Sequence, residues 1–364
     1  MKITAVRATS HSLPLHAPLL KEPKEETFVC VRVETDEGIG GVGFLAGYFT
    51  RIVMRDAVNN LIGPVILGLD PMDTDAVMGA FIKKFDLRRT IGILTHAMSG
   101  IDCALWDLKG KALDQPVYRL LGGHSARVPV YATFGLIDYS RQQLVEAAKL
   151  HIAEGHDKLK MVVCINASSN VPEDAARVRT VREAIGDKIQ LMVDANQKFS
   201  LLQASQLARL IEPYSISWFE EPLTHNYPPE MRVLRSRTSI PLAAGQVWEY
   251  GWQNLQFMEA RALDIAQTDV GMVGGFTEGI KVAHLAQAFD LPLASHGWPR
   301  MNMHLVAATP AGYRVEFHVL QEALEKAIYV NPTKPENGWV TCPSRPGLGL
   351  ELNEDALKKC QDQE

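Results

Sequence analysis

A chain of 364 residues that is 46% hydrophobic and 22% charged has the make-up of a soluble globular protein, long enough for one large domain or two ordinary ones. Its formal net charge of −5, without any basic run, argues against nucleic acid or an anionic membrane as partner. No stretch reaches the ~18 uninterrupted apolar residues of a transmembrane helix, and the opening MKITAVRATSHSLPL lacks the apolar core of a signal peptide.

The first 50 residues read as strands. FVCVRVETDEGIGGVGF alternates apolar residues, turns at DEG and resumes as a second strand. From about Arg55 to Leu113 the spacing becomes helical, and THAMSGIDCALWDLKGKAL carries a buried helix face. These patterns predict an α+β module over residues 1–124. After it the rhythm changes. VPVYATF, KLKMVV, IQLMVDAN, ISWFEEP, PLAAGQ, LDIAQTDV, LPLASH and YRVEFHV read as strands, with helices such as EDAARVRTVREAI and LLQASQLARLIE between them. Eight strands with helical crossovers predict a closed parallel barrel over 125–330. An open doubly wound sheet would want a glycine-rich phosphate turn after its first strand, and none is there. Residues 331–364 follow as a C-terminal tail. The five cysteines are scattered without a CxxC pair, the pattern of reduced, buried thiols in a cytoplasmic protein.

Polar residues end the strands in succession: Lys160, Asp194, Glu220 with Glu221, Gln246, Asp269 and His296, with Glu316 inside the eighth. In a barrel such side chains converge on one mouth. Asp194 and Glu220, on neighbouring strands, can share a hard cation through oxygen, which suits Mg²⁺, with Mn²⁺ as the alternative. Lys160 and His296 are two groups able to move a proton. The combination suits proton abstraction next to a substrate carboxylate.

Together SGIDCALWDLKGKALDQPVYRLLGG, VDAN, WFEEPL, TDVGMVGGFTEGIKVAHLAQAFDLPLASH and the late GLGLELN resemble the mandelate racemase and muconate lactonizing branch of the enolase superfamily over nearly the whole chain. The resemblance implies a (β/α)7β barrel under a capping domain built from both chain ends, a Mg²⁺ ion, a small carboxylate substrate and a symmetric homo-oligomer. It implies Asp194 and Glu220 as metal ligands, Asp269 orienting His296 as a dyad, Asn196 behind the ligands, and Glu316 as a donor to the substrate carboxylate if protonated. The expected activity is dehydration of a sugar acid to a 2-keto-3-deoxy acid, with epimerisation, racemisation or lactone cycloisomerisation as the alternative.

Two positions depart from the pattern. The family places an acid where Gln246 stands. Gln246 as a neutral ligand, Glu249 as its replacement and a weakened metal site are the three readings, the last of which would make the chain a degenerate, non-catalytic relative. The family also carries K-x-K at the end of the second strand. In DKLKMVV, Lys160 is then the base with Lys158 its partner, or, two residues out of step, Val162 takes the base's place and Lys160 only neutralises the substrate. A two-residue slip keeps every side chain on its face, so alternation leaves the choice open. Arg300 is a candidate for a distal carboxylate or hydroxyl of the substrate, and His304 for the lining of the mouth. His96 and His284 read as packed or solvated. LHAPLLKEPKEET reads by resemblance as the loop that closes over substrate, with Lys21 and Lys24 solvated.

Overall fold

The computed structural model describes residues 1–86, 91–165 and 170–363. The alternating N-terminal segment forms an antiparallel sheet of β1 (Ile3–Leu15), β2 (Lys24–Thr35) and β3 (Gly40–Ala46), in that order. The DEG turn joins β2 to β3 with Gly38 at φ 75°, a left-handed conformation that costs glycine little. A run of short helical turns over 51–66 leads to two longer helices, α1 (Thr74–Phe85) and α2 (Ile93–Ala112). The helical pattern expected from Arg55 to Leu113 includes residues 87–90, which lie outside the described residues.

Helix α2 is buried nearly all round because it lies between the cap sheet and the barrel. On the sheet side the approach is close: a Cβ on Gly43 would stand 2.2 Å from the carbonyl oxygen of Gly100.

The eight predicted strands all form: β4 (Arg127–Gly135), β5 (Lys158–Val162), β6 (Gln190–Asp194), β7 (Ile216–Glu220), β8 (Leu242–Ala244), β9 (Ile265–Thr268), β10 (Leu293–Ser295) and β11 (Gly312–His318). They pair in parallel in chain order, and β11 closes onto β4. Among the described residues seven helices make the crossovers: α3 (Arg141–Ala153), α4 (Val171–Ile185), α5 (Leu201–Ile211), α6 (Pro228–Arg235), α7 (Tyr250–Glu259), α8 (Gly275–Ala288) and α9 (Pro299–Ala308). The chain is thus a (β/α)7β barrel with an α+β cap. Tyr131, Met192, Trp218, Ala243, Ile265 and Ala294, one from each of six strands, pack as a buried cluster, so the barrel is a filled core rather than a pore. On α8, Thr277 donates its N–H and its hydroxyl to the buried Asp102 carboxylate of α2, tying cap to barrel (2.9 and 2.6 Å).

After β11 come α10 (Val319–Ile328), β12 (Trp339–Thr341), which pairs antiparallel with β4, and α11 (Glu354–Cys360). The tail then meets the cap: His11 Nδ1 lies 3.1 Å from the Leu357 carbonyl and Asp362 N–H donates to Ser10. The β1–β2 connection docks on the barrel, where the Tyr139 hydroxyl donates to Pro18 and Gln143 Nε2 to Leu19. Lys24 pairs with Asp138 at 2.6 Å on the solvated surface. All five cysteines are buried free thiols. No helix among the described residues is long and apolar enough to cross a membrane.

Candidate active site

Strand register decides what reaches the mouth. Asp194 ends β6 and is paired with Glu220, which ends β7. On β5 it is Val162 that pairs with Asp194, while Lys160 pairs with Met192. Lys160 therefore lies one side-chain layer below the rim. There its ammonium hydrogen-bonds Glu220 and stands 2.9 Å from Glu316 Oε1 and 3.4 Å from Asp194 Oδ2. Burial opposes its charge, but these carboxylates outweigh burial and hold its pKa well above the ordinary lysine value. A lysine fixed in its protonated form cannot accept a proton, so this arrangement speaks against Lys160 as the base.

Glu316 departs from expectation in a related way. It accepts from Lys160, from the Gly297 N–H (2.9 Å) and from the Thr133 hydroxyl. Burial pushes its pKa up, but Lys160 and His296 together hold it below the ordinary carboxylate range. A carboxyl surrounded by donors is an anion, not the protonated donor expected. Glu220 likewise has an acceptor contact on each oxygen, from Lys160 and from Trp218 Nε1 (2.9 Å). Burial is the larger influence there and lifts its pKa to about 8, with Lys160 pulling down and Asp194 pushing up.

The proton-moving pair lies across the rim. His296 Nδ1 is 3.0 Å from Asp269 Oδ2. The other oxygen of Asp269 accepts from Gly271 N–H (2.8 Å) and Asn302 Nδ2 (3.0 Å). That amide also reaches the His296 and Gly297 carbonyls (3.0 and 2.9 Å), so Asn302 fixes both members. Burial works against the imidazolium, but the hydrogen bond to Asp269 and the charge of Glu316 prevail, raising His296 to about 9. With Nδ1 held by a carboxylate, Nε2 is the nitrogen through which the ring can exchange a proton.

A cavity of about 180 Å³ opens over these groups, lined by Asp194, Asn196, His296, Glu316, Val162 and Thr133 from the barrel and by Glu26 and Tyr48 from the cap. Asn196 sits on the rim in a left-handed turn (φ 47°), where its N–H caps Asp194 Oδ1 at 2.8 Å. His318, Asn302, Tyr48 and Glu26 went unrecognised in the sequence. His318 lines the cavity two residues beyond Glu316, on the same strand face, a spacing that alternation could have revealed. Glu221 accepts the backbone N–H groups of Gly245 (2.8 Å) and Gln246 (3.3 Å) and so anchors the end of β8. Tyr48 and Glu26 come from the cap, with no local pattern to announce them.

Other expected positions lie elsewhere. Lys158 begins β5, at the opposite end of the strand from the mouth, and pairs with Asp157 at 2.6 Å. Arg300 is fully buried and is held by Glu325 and Glu322 (3.0 Å) of α10, so it pins two wall helices and does not face substrate. His304 is buried, accepting from Tyr118 N–H (3.2 Å) and facing the Leu348 carbonyl (3.2 Å). Glu249 turns toward the cap, where its carboxylate accepts the Gly92 N–H at 2.6 Å and lies 3.4 Å from His96. It is not placed to replace Gln246.

Asp194, Glu220 and Gln246 carry the oxygen donors that a hard divalent cation takes. Asp194, Glu220 and Glu316 gather around the Lys160 ammonium. Gln246 adds a buried carbonyl oxygen, Oε1, that has no hydrogen-bond partner. An orphaned buried acceptor at the end of the strand beside Glu220 is what a neutral oxygen ligand looks like before it is engaged.

Comparison with known proteins agrees with this architecture. Residues 1–122 match the mandelate racemase / muconate lactonizing enzyme N-terminal domain, and residues 143–356 the enolase C-terminal domain-like family. D-galactarolactone cycloisomerase of Agrobacterium fabrum is 32% identical, covering 98% of this chain and 98% of its own. Arabinonate dehydratase of Saccharolobus solfataricus is 28% identical, covering 94% and 93%. A racemase from Streptomyces coelicolor A3(2), solved with bound magnesium, superposes with a TM-score of 0.92 at 28% identity, over 99% of this chain and 100% of its own. The (β/α)7β barrel, its cap and these matches together make the chain an enzyme of the mandelate racemase / muconate lactonizing branch of the enolase superfamily.

Proposed function

We propose that the chain is a Mg²⁺-dependent dehydratase of a sugar acid, forming a 2-keto-3-deoxy acid. The observation that carries this reading is the Asp269–His296 pair at the mouth. Lys160 is held as a cation beneath the rim, Val162 occupies the level of the acids, and His296 is the imidazole oriented by a carboxylate, Asp269. One base suits elimination: His296 takes the α-proton, and the resulting imidazolium returns a proton to the departing β-hydroxyl. Asp269 stabilises that imidazolium, and Asn302 holds the pair in line. Lys160 balances negative charge below the site. Asp194, Glu220 and Gln246 would hold the dication, Mg²⁺ or in its place Mn²⁺, which supplies positive charge to the substrate carboxylate as its α-carbon gives up the proton.

Isomerisation is the second reading, favoured by the cycloisomerase relative that matches along 98% of both chains. It needs the same proton abstraction but loses no water. A symmetric homo-oligomer and a cytoplasmic location belong to the same proposal.

The test is a panel of aldonic and aldaric acids and their lactones, assayed with Mg²⁺ for 2-keto-3-deoxy product, on native protein and on His296→Asn. Turnover by the native enzyme, abolished in the variant and by EDTA, is the expected result. Turnover that survives in His296→Asn overturns the assignment of the base. Deuterium incorporation from D₂O without loss of water moves the reaction to the isomerase reading.

A further inference from the structure

We propose that His151, Glu154 and His156 form a second cation site, for a borderline transition-metal dication of the zinc class, at the end of the barrel away from the mouth. One ligand atom from each of the three lies within 4.8 Å of the others. His151 Nδ1 and Glu154 Oε2 are 3.5 Å apart, close to the edge, about 3.4 Å, of a tetrahedron with zinc–ligand arms of about 2.1 Å.

The chain brings these residues together through the end of α3. Gly155 takes a left-handed conformation (φ 92°) and its N–H donates to the Ile152 carbonyl, while His156 N–H donates to the His151 carbonyl, each at 3.0 Å. This pair of bonds is the Schellman motif, which sets the third-last helical residue against the second residue past the cap. An apolar contact usually fills that place. Here it is filled by two imidazoles with centroids 5.6 Å apart.

Both rings carry a buried Nδ1 without any hydrogen-bond partner. Leaving two such nitrogens unmet is unfavourable, by about 1–3 kcal/mol for each buried polar group, and a metal would meet both. Burial, assisted by the Lys326 charge for His151 and by His151 for His156, lowers both pKa values to about 4. Two nitrogens and one carboxylate favour zinc-class ions over Mg²⁺, which prefers oxygen. An adjoining cavity of about 330 Å³ gives access and room for a water ligand. Two lysines line it, Lys334 and Lys326, the latter held by Glu322 at 3.1 Å. The site is independent of the chemistry proposed at the mouth.

The test is calorimetric titration of the untagged, chelator-stripped full chain with Zn²⁺ in excess Mg²⁺, paired with the visible spectrum of the Co²⁺-loaded protein. One equivalent is expected to bind. His156→Ala and Glu154→Gln should each weaken it at least tenfold and remove the four-coordinate Co²⁺ bands, while Asp194→Asn leaves it unchanged. Glu154 is exposed, so its substitution tests the ligand without threatening the fold. No Zn²⁺ binding, affinity indifferent to both wall variants, or loss of binding in Asp194→Asn instead would each overturn the proposal.

Discussion

At the Asp269–His296 pair, orientation and basicity come from one hydrogen bond. As a base, His296 works when neutral, so kcat/KM rises with pH through its pKa. That pKa stands at about 9 without a cation in the mouth, and a bound dication lowers it by repelling the imidazolium. Asp269→Asn removes the carboxylate that holds it up. The acid limb of the rate profile should then move to lower pH, and kcat should fall by about 100-fold or more. A pH–rate profile of native and variant checks both effects. An unmoved limb assigns the limb to another group. Lys160→Met tests the opposite role. If Lys160 only balances charge, the limb stays tied to His296. If Lys160 were a base, a limb would vanish. Asp269 and His296 were legible in the sequence because each directly follows a short apolar strand. Asn302 was not, since its two clients lie on loops that only the closed barrel brings together.

Among the elements, β5 and the α9–α10 wall carry the most consequence. All eight barrel strands could be read from short apolar runs with polar ends. The height of Lys160 on β5 could not, because a two-residue slip conserves every in–out assignment and only pairing with β6 fixes the level. The same limit misplaced Arg300. Its position after a strand-end histidine resembled a mouth position, but its partners Glu322 and Glu325 lie on a helix beyond the next strand. A buried ion pair broken from one side leaves an uncompensated charge. Arg300→Ala, which takes the cation from both Glu322 and Glu325, should therefore destabilise the fold by about 3–5 kcal/mol, read as a lowered denaturant midpoint, with the mouth groups unchanged. A loss below about 1 kcal/mol, the level of a surface ion pair, would contradict this account of the wall.

For the whole molecule, the cap supplies what the barrel lacks. Tyr48 and Glu26 complete the cavity, and α2 locks cap to barrel through Asp102 and Thr277. Gly43 lets α2 lie directly on β3. Gly43→Ala would drive a methyl to 2.2 Å from the Gly100 carbonyl, so the helix must shift, at about 1–3 kcal/mol. The thermal midpoint should fall and KM should rise as the cap loosens; an unchanged midpoint would mean that the interface is slack. The two-layer architecture was legible from the change of rhythm near residue 125. The cap's contribution to the site was not, because it depends on how two separately patterned regions dock.

The central claim is that the mouth, with Gln246 in place of an acid, still takes a dication. It is tested most directly by calorimetric titration of Mg²⁺ into the chelator-stripped native chain, Gln246→Glu and Asp194→Asn. The account predicts binding by the native chain, binding about tenfold tighter (about 1.4 kcal/mol) in Gln246→Glu, and loss of binding in Asp194→Asn. No Mg²⁺ binding by the native chain, or binding that survives undiminished in Asp194→Asn, would contradict it.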